Sequence, residues 1–403
     1  MKRYSKEELQ QDFKLLKRCI CEENPLAFTD RNKVLAEFEQ AEAGIRDGMT
    51  EEEFYYLVNP CVTAAGCGHT NLAVSTALIE ARKETALYFP VEVIIDSGKL
   101  QVRQDSPEYG LYEGDRILGI NGRGAEDILS CLERNISHDG SNPALAWYLA
   151  GKHFGYEYYE FADKSGVFRT EVLRGDNTRD IITIEGKYIP RHNTAAWQLH
   201  APENIAPYEC GREGKEAFLV IRVFSEGEQS FEQFLAGFFA ELREAGADRL
   251  IIDLRGNFGG YPGMARELLS YLTEREIPYF TRDTKLPEVC GLSEMGGNIL
   301  PKENCFKGDI TLLINGGCFS TSGHFAAVFK ENHLGRILGS TTGGGAACTD
   351  FSADAVLENT GLRLHYSARF LLCRQMKACV TVWSRTASER TGWLLLLCEN
   401  CGL

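Results

Sequence analysis

Leu250-Ile-Ile-Asp-Leu-Arg-Gly-Asn-Phe-Gly-Gly260 opens on apolar residues without alternation, passes into a polar turn and closes on two adjacent glycines. Apolar residues without alternation make a strand covered on both faces, the form strands take in parallel sheets. Neighbouring glycines carry no Cβ, so their backbone N–H groups can approach a ligand closely. A phosphate loop would also use such a turn, but the Lys-Ser/Thr pair it needs is missing. A strand-to-helix connection with no ligand is the bland alternative, and the segment alone leaves it open.

The flanks repeat the theme. Phe218-Leu-Val-Ile-Arg-Val reads as a strand, Ser230 caps a helix running to about Ala245, and Met264 to Leu272 is helical. Ile310-Thr-Leu-Leu-Ile is a further apolar strand, and a helix follows Ser320. Strands alternating with helices predict an αβ core with parallel pairing. In Ile314-Asn-Gly-Gly-Cys-Phe-Ser-Thr-Ser-Gly-His324, a buried strand ends, glycines turn the chain, and Ser320 stands where the helix begins. A hydroxyl there meets unpaired amides and the positive end of the helix dipole, which would stabilise an oxyanion. Ser320 could equally be a plain N-cap.

Toward the amino end, Ser5 with Glu8 and Thr50 with Glu53 have capping-box spacing, and Val34, Leu35, Phe38 and Ala41 recur at helical intervals. This helical module closes on Gly66-Cys-Gly-His-Thr70. A lone histidine is usually structural, but a serine nucleophile needs a base, and His69 on a Gly-flanked turn would serve. His324, one helical turn beyond Ser320, is the other candidate. From Leu87 the period becomes that of strands, in Tyr88-Phe-Pro-Val-Glu-Val-Ile-Ile, Leu100-Gln-Val-Arg, Val167-Phe-Arg-Thr-Glu-Val and Ile181-Ile-Thr-Ile. Between them lies Gly110-Leu-Tyr-Glu-Gly-Asp-Arg-Ile-Leu-Gly-Ile-Asn-Gly122, a short strand between glycine turns.

The length of 403 residues predicts more than one domain, and a net charge of −14 with dispersed basic residues argues against nucleic acid. No apolar run has the length of a membrane span. The polar start is not a secretory signal, so the expectation is a cytoplasmic protein, or an exported one if an upstream segment is missing. The 14 cysteines show one CxxC pair, Cys398 and Cys401, with no second pair to complete a zinc site, so reduced thiols and no metal are expected.

Together these segments resemble the tail-specific, or C-terminal-processing, serine peptidases (peptidase family S41), in order as well as content. The Asp253-Leu-Arg-Gly-Asn-Phe-Gly-Gly260 stretch fits the family's Asp-Leu-Arg-x-Asn-x-Gly-Gly, and Phe319-Ser-Thr-Ser-Gly-His-Phe-Ala fits its nucleophile segment. Gly339-Ser-Thr-Thr-Gly-Gly is similar to its Gly-x-x-Thr-x-Gly turn, and Gly-His69-Thr to the segment of its histidine-using, tricorn-core-like branch. The resemblance implies a multidomain α/β protein. Its parts would be a helical module over 1–80, a PDZ-like β-rich domain over 84–175 and a ClpP/crotonase-like αβ peptidase core over 176–403, with 371–403 atypical.

It further implies Ser320 as nucleophile and His69 as base. Gly259, Gly260 and Thr321 would supply oxyanion amides, and Gly110, Leu111 and Ile117 would bind a peptide end by strand addition. The partner would be a protein or peptide substrate, with no cofactor; oligomeric state is open.

Three features depart from the family. The lysine of its serine–lysine branch is absent, since Gly344, Gly345 and Ala346 stand in its place. The acidic residue usual after the nucleophile is Gly323 or His324 here. The end lacks the expected Gly-x-x-Pro-Asp, leaving Glu358 and Glu389 as weak candidates for an orienting acid. An esterase of the Gly-x-Ser-x-Gly type is disfavoured because Cys318 and Ser322 occupy the glycine positions. A cysteine hydrolase using Cys318 has little support. The rival from another class is a catalytically inactive, PDZ-containing peptide-binding pseudo-peptidase.

Overall fold

The computed structural model describes residues 2–83, 85–188, 205–280 and 297–372. The expected atypical tail beyond Leu372, with Glu389 and the Cys398–Cys401 pair, lies outside the described residues. The rest divides into two compact units, one within 1–199 together with 348–370, the other within 200–347.

The first unit opens with helices Lys6–Arg18, Arg31–Gly44 and Glu51–Thr63. Both expected capping boxes form: Ser5 and Thr50 each accept from the third helical amide, and Glu8 and Glu53 reach back. Leu9, Phe13, Leu16, Val34, Phe38, Phe54 and Val58 close one apolar core between the helices. Strands Val93–Asp96, Lys99–Val102, Arg116–Ile120, Val167–Leu173 and Arg179–Glu185 then follow one another in a single antiparallel sheet, with Arg123–Gly124 paired at its side. Two helices that the periodicity did not single out, Ala144–Lys152 and Phe154–Phe161, cover this sheet. Phe89 meets Phe154 and Phe168 edge-on, with ring centroids 5.4 Å away in both cases.

A late segment returns to this unit. Strand Arg363–Tyr366 lies between Ala353–Val356 and Asn71–Ala73, antiparallel to both, with His365 opposite Asn71. The hairpin is fastened by Asp12, whose buried carboxylate accepts from Asn359 N at 3.0 Å, Thr360 N at 2.8 Å and Thr360 Oγ1 at 2.7 Å.

The second unit is the expected αβ core. Its five-stranded sheet runs Tyr208–Glu213, Glu216–Ile221, Arg249–Asp253, Asp309–Ile314 and Arg336–Gly339, the first pair antiparallel and the others parallel. Leu250, Ile252, Leu312 and Ile314 are fully buried, as the unbroken apolar runs require. Among the described residues of both units, no helix is long and apolar enough to cross a membrane.

Asp12→Ala removes a charged acceptor and leaves several buried donors unpaired. The expected cost is about 2–4 kcal/mol in urea-derived stability, and a change below about 0.5 kcal/mol would show that this tie is not what holds the returning hairpin.

Candidate active site

Parallel strands Arg249–Asp253 and Asp309–Ile314 end at the same edge, with Asp253 in register with Leu313. Their outgoing loops therefore meet at the carboxyl edge of the sheet, where open αβ folds place ligands. Asn257 joins them. Its side chain is fully buried, donating from Nδ2 to Ile221 O at 2.8 Å and accepting from Gly259 N at Oδ1 at 2.8 Å. Its carbonyl accepts from Phe319 N at 3.1 Å and from the Ser322 hydroxyl. Asn315 makes a second tie, accepting from Gly256 N at 2.9 Å and Gly317 N at 3.0 Å. Asp253 is engaged by its own neighbour, taking Arg255 Nη2 at 2.6 Å and Arg255 N at 2.9 Å, so its carboxylate serves the turn.

Ser320 sits on this frame at the start of helix Thr321–Glu331, with φ 55° and ψ −125°. That is left-handed backbone, which costs a side chain about 1–3 kcal/mol. The N-cap reading fails on this geometry. The capping serines of this chain, Ser5, Ser75 and Ser230, have φ between −69° and −60° and bond a helical amide through the side chain. Ser320 makes no such bond.

The glycine pair is packed against it. A Cβ on Gly259 would stand 2.8 Å from Ser320 Cβ, Phe319 O and Thr321 N, and one on Gly260 would stand 2.3 Å from Phe224 O. Both glycines have positive φ, 107° and 126°. Their amides are not equivalent: Gly259 N donates to Asn257 Oδ1, which narrows the expected pair to Gly260. The Thr321 hydroxyl donates to Gly260 O and so holds the start of the helix to the glycine turn.

Two departures from the family pattern acquire physical reasons here. A Cβ on Gly323 would meet Gly344 C at 2.8 Å, and one on Gly344 would meet Ser320 N at 3.0 Å. Backbone fills the space behind the serine, where larger residues would have to displace it. Cys318 is fully buried, its thiol donating to Leu254 O at 2.9 Å and pushed up to about 12 by burial, which makes it a poor nucleophile. His324 is also core: its ring stands edge-on to Tyr279 and Phe280, 6.3 and 6.4 Å between centroids.

His69 lies in the first unit, half-buried in the turn between helix Glu51–Thr63 and strand Asn71–Ala73. Burial pushes its imidazole below the usual value; the Asp350 carboxylate opposes this, and the His365 ring adds to it. Asp350 had no signal in the sequence. It comes near His69 because the chain returns there, with Thr349 Oγ1 2.7 Å from Cys67 Sγ. The candidate Glu358 is exposed in the hairpin turn, beyond the Arg363–Ala73 end of the small sheet, while His69 precedes Asn71 at the other end.

The expected substrate residues are placed differently from the sequence reading. Leu111 and Ile117 are core, 0 % and 2 % exposed. Gly110 N donates to Pro107 O at 3.0 Å and Leu111 N to Ser106 O at 3.2 Å, so these amides close a turn instead of lining a groove. The Arg174 guanidinium seals that turn, donating to Gly110 O at 2.7 Å and Asp115 Oδ2 at 2.6 Å.

Residues 216–366 match the model of Peptidase family S41, a span that contains the Gly259–Gly260 turn and Ser320. The fold over most of the chain is similar to mature CPAF complexed with lactacystin, with a TM-score of 0.67 at 16% identity, covering 93% of this chain and 91% of that one. The CPAF s499a mutant gives 0.66 at 14% identity, covering 93% and 92%. No curated protein matches the sequence. The chain is a serine peptidase, a hydrolase.

The positive φ at Ser320 yields a stability test. Ser320→Gly should unfold at a higher temperature than Ser320→Ala, by an amount equivalent to about 1 kcal/mol, because only glycine accepts this backbone without strain. Equal melting temperatures would mean that the backbone there is relaxed.

Proposed function

We propose that this chain hydrolyses peptide bonds of protein or peptide substrates through an acyl-enzyme on Ser320, with His69 as general base. The Ser320 Oγ attacks the scissile carbonyl carbon as its proton passes to the imidazole. The C–N bond then breaks as the imidazolium returns that proton to the departing amine, and water repeats the cycle on the ester. The amides of Gly260 and Thr321 would receive the oxyanion. The observation that carries this reading is the strained, uncapped backbone of Ser320 packed on Gly259. A serine kept only to start a helix would adopt the relaxed geometry of Ser5 and Ser230. The lowered pKa of His69 supports its role, since a base must be neutral at working pH. Because Gly110, Leu111 and Ile117 form a closed turn and core, the proposal covers bond hydrolysis and leaves selection by the substrate's C-terminus aside.

A fluorophosphonate probe should label the wild type on Ser320. Ser320→Ala should not label, and His69→Ala should label at least about 100-fold more slowly. A wild type that binds peptides without labelling would favour the inactive peptide-binding reading.

The pH profile carries its own sign. Neutral His69 is the active form and burial lowers its pKa, so the acid limb of kcat/KM should have its midpoint below the ordinary 6.5. Asp350→Asn removes a charge that raises this pKa and should move the limb to lower pH; His365→Phe should move it up. A limb above 6.5 that ignores both substitutions would rule out His69 as the titrating base.

A further inference from the structure

We propose that Asp139 is a positioning residue for the base: its carboxyl, held in the loop after helix Ala125–Asn135, fixes the main-chain turn that presents His69. The proposal rests on the reading of His69 given above. Three bonds join that loop to the histidine turn. Gly68 N donates to Asp139 Oδ1 at 2.8 Å, Ser137 Oγ donates to Thr70 O at 2.6 Å, and Gly140 N donates to Gly66 O at 3.0 Å. They bracket His69 on both sides, and the first engages the residue immediately before it. The helices leading into the two turns are also joined, with Asn59 Nδ2 donating to Asn135 O at 3.0 Å and Thr63 Oγ1 to Arg134 O at 2.8 Å.

What sets Asp139 apart from an ordinary turn residue is its setting. The side chain is 8 % exposed, and Oδ2 has no hydrogen-bond partner among the described residues. Burying a carboxyl for a single backbone bond is unfavourable; a purely local turn would be served as well by a small exposed residue. Burial pushes this carboxyl up to about 7, with the Gly68 bond opposing. Burial thus favours the neutral carboxyl, which a carboxamide can imitate. Gly66 has φ 58° and a Cβ there would be 3.5 Å from Gly140 N, so the two turns are fitted to each other at backbone contact.

Loss of the hold should misplace the imidazole and leave substrate binding alone. Asp139→Ala is expected to lower kcat by about 10- to 100-fold with KM within about twofold, the scale of a misplaced catalytic group. Asp139→Asn, which keeps the acceptor for Gly68 N, should recover to within about threefold of wild type. Hydrogen exchange of the peptide spanning residues 64–72 reads the same hold without turnover: at least about tenfold faster in Asp139→Ala, unchanged in Asp139→Asn. If Asp139→Ala does not fold, Ser137→Ala tests the neighbouring tie, with a smaller loss of kcat and faster exchange in the same peptide.

Wild-type kcat and exchange in Asp139→Ala would overturn the proposal. So would equal loss in the alanine and asparagine variants, because the Gly68 acceptor would then not be what matters. Absence of fluorophosphonate labelling in the wild type would instead refute the serine-peptidase reading, while the exchange measurement would still decide whether Asp139 holds the turn.

Discussion

The buried carboxamide of Asn257 is the interaction on which the surroundings of Ser320 depend. Parallel strands only bring two loop origins to one edge; they do not decide how the loops meet. Asn257 decides it through its carboxamide, which donates to the Ile221 carbonyl on the neighbouring strand and accepts from the Gly259 amide in its own turn, and through its main-chain carbonyl, which accepts from the Phe319 amide and the Ser322 hydroxyl beside Ser320. These groups are buried, and each would otherwise be an orphan. The side chain has the right chemistry because a carboxamide offers a donor and an acceptor together. Aspartate would put an uncompensated charge beside a backbone carbonyl.

Once the two loops are fastened, the glycines follow by necessity. Gly259 lies so close to Ser320 that any side chain would collide with it, and Gly344 approaches from the other side. The helix start is thus clasped between two stretches of bare backbone. The strain at Ser320 is sustained by this clasp, which leaves the serine no relaxed alternative. The same crowding accounts for the glycines at positions 323 and 344. A lysine at that place would have to project its stem past the backbone that now contacts Ser320 N. The missing lysine is, in this light, the counterpart of a more tightly enclosed serine, and the proposed base, His69, comes from elsewhere in the sequence.

Much of this was legible in the sequence, for physical reasons that also mark where legibility stopped. The Leu250–Leu254 and Ile310–Ile314 runs read as buried parallel strands because apolar continuity is a property of covered sheets, and both are central strands. Ser5 and Thr50 read as caps because a capping box depends only on residues three apart. Ser320 was ambiguous because its distinguishing feature, a positive φ without a side-chain cap, is conformational and leaves no mark on composition. Helix Ala144–Lys152 escaped because its faces are apolar nearly all round, so no stripe stands out. Gly110-Leu111 was misjudged because a glycine turn with open amides and one with internally bonded amides share a sequence. Here the difference lies in Arg174, more than sixty residues on, which seals the turn.

Asp350 and Asp139 show the same limit in the surroundings of His69, the proposed base. Neither lies near His69 in sequence, and each reaches its turn through a different return of the chain: Asp350 on the strand beside Thr349, Asp139 on the loop behind Gly68. They act in opposite ways. Asp350 works through its charge on the ring and favours the imidazolium that forms when a proton is taken up. Asp139 works on the main chain and is most compatible with its burial when neutral. Were Asp139 ionised across the whole pH range in which an exposed aspartate is, its buried charge would be paired only with one amide. In the proposed mechanism this divides the labour: one carboxyl holds the turn and the other acts on the ring, the combination that proton transfer near neutral pH requires.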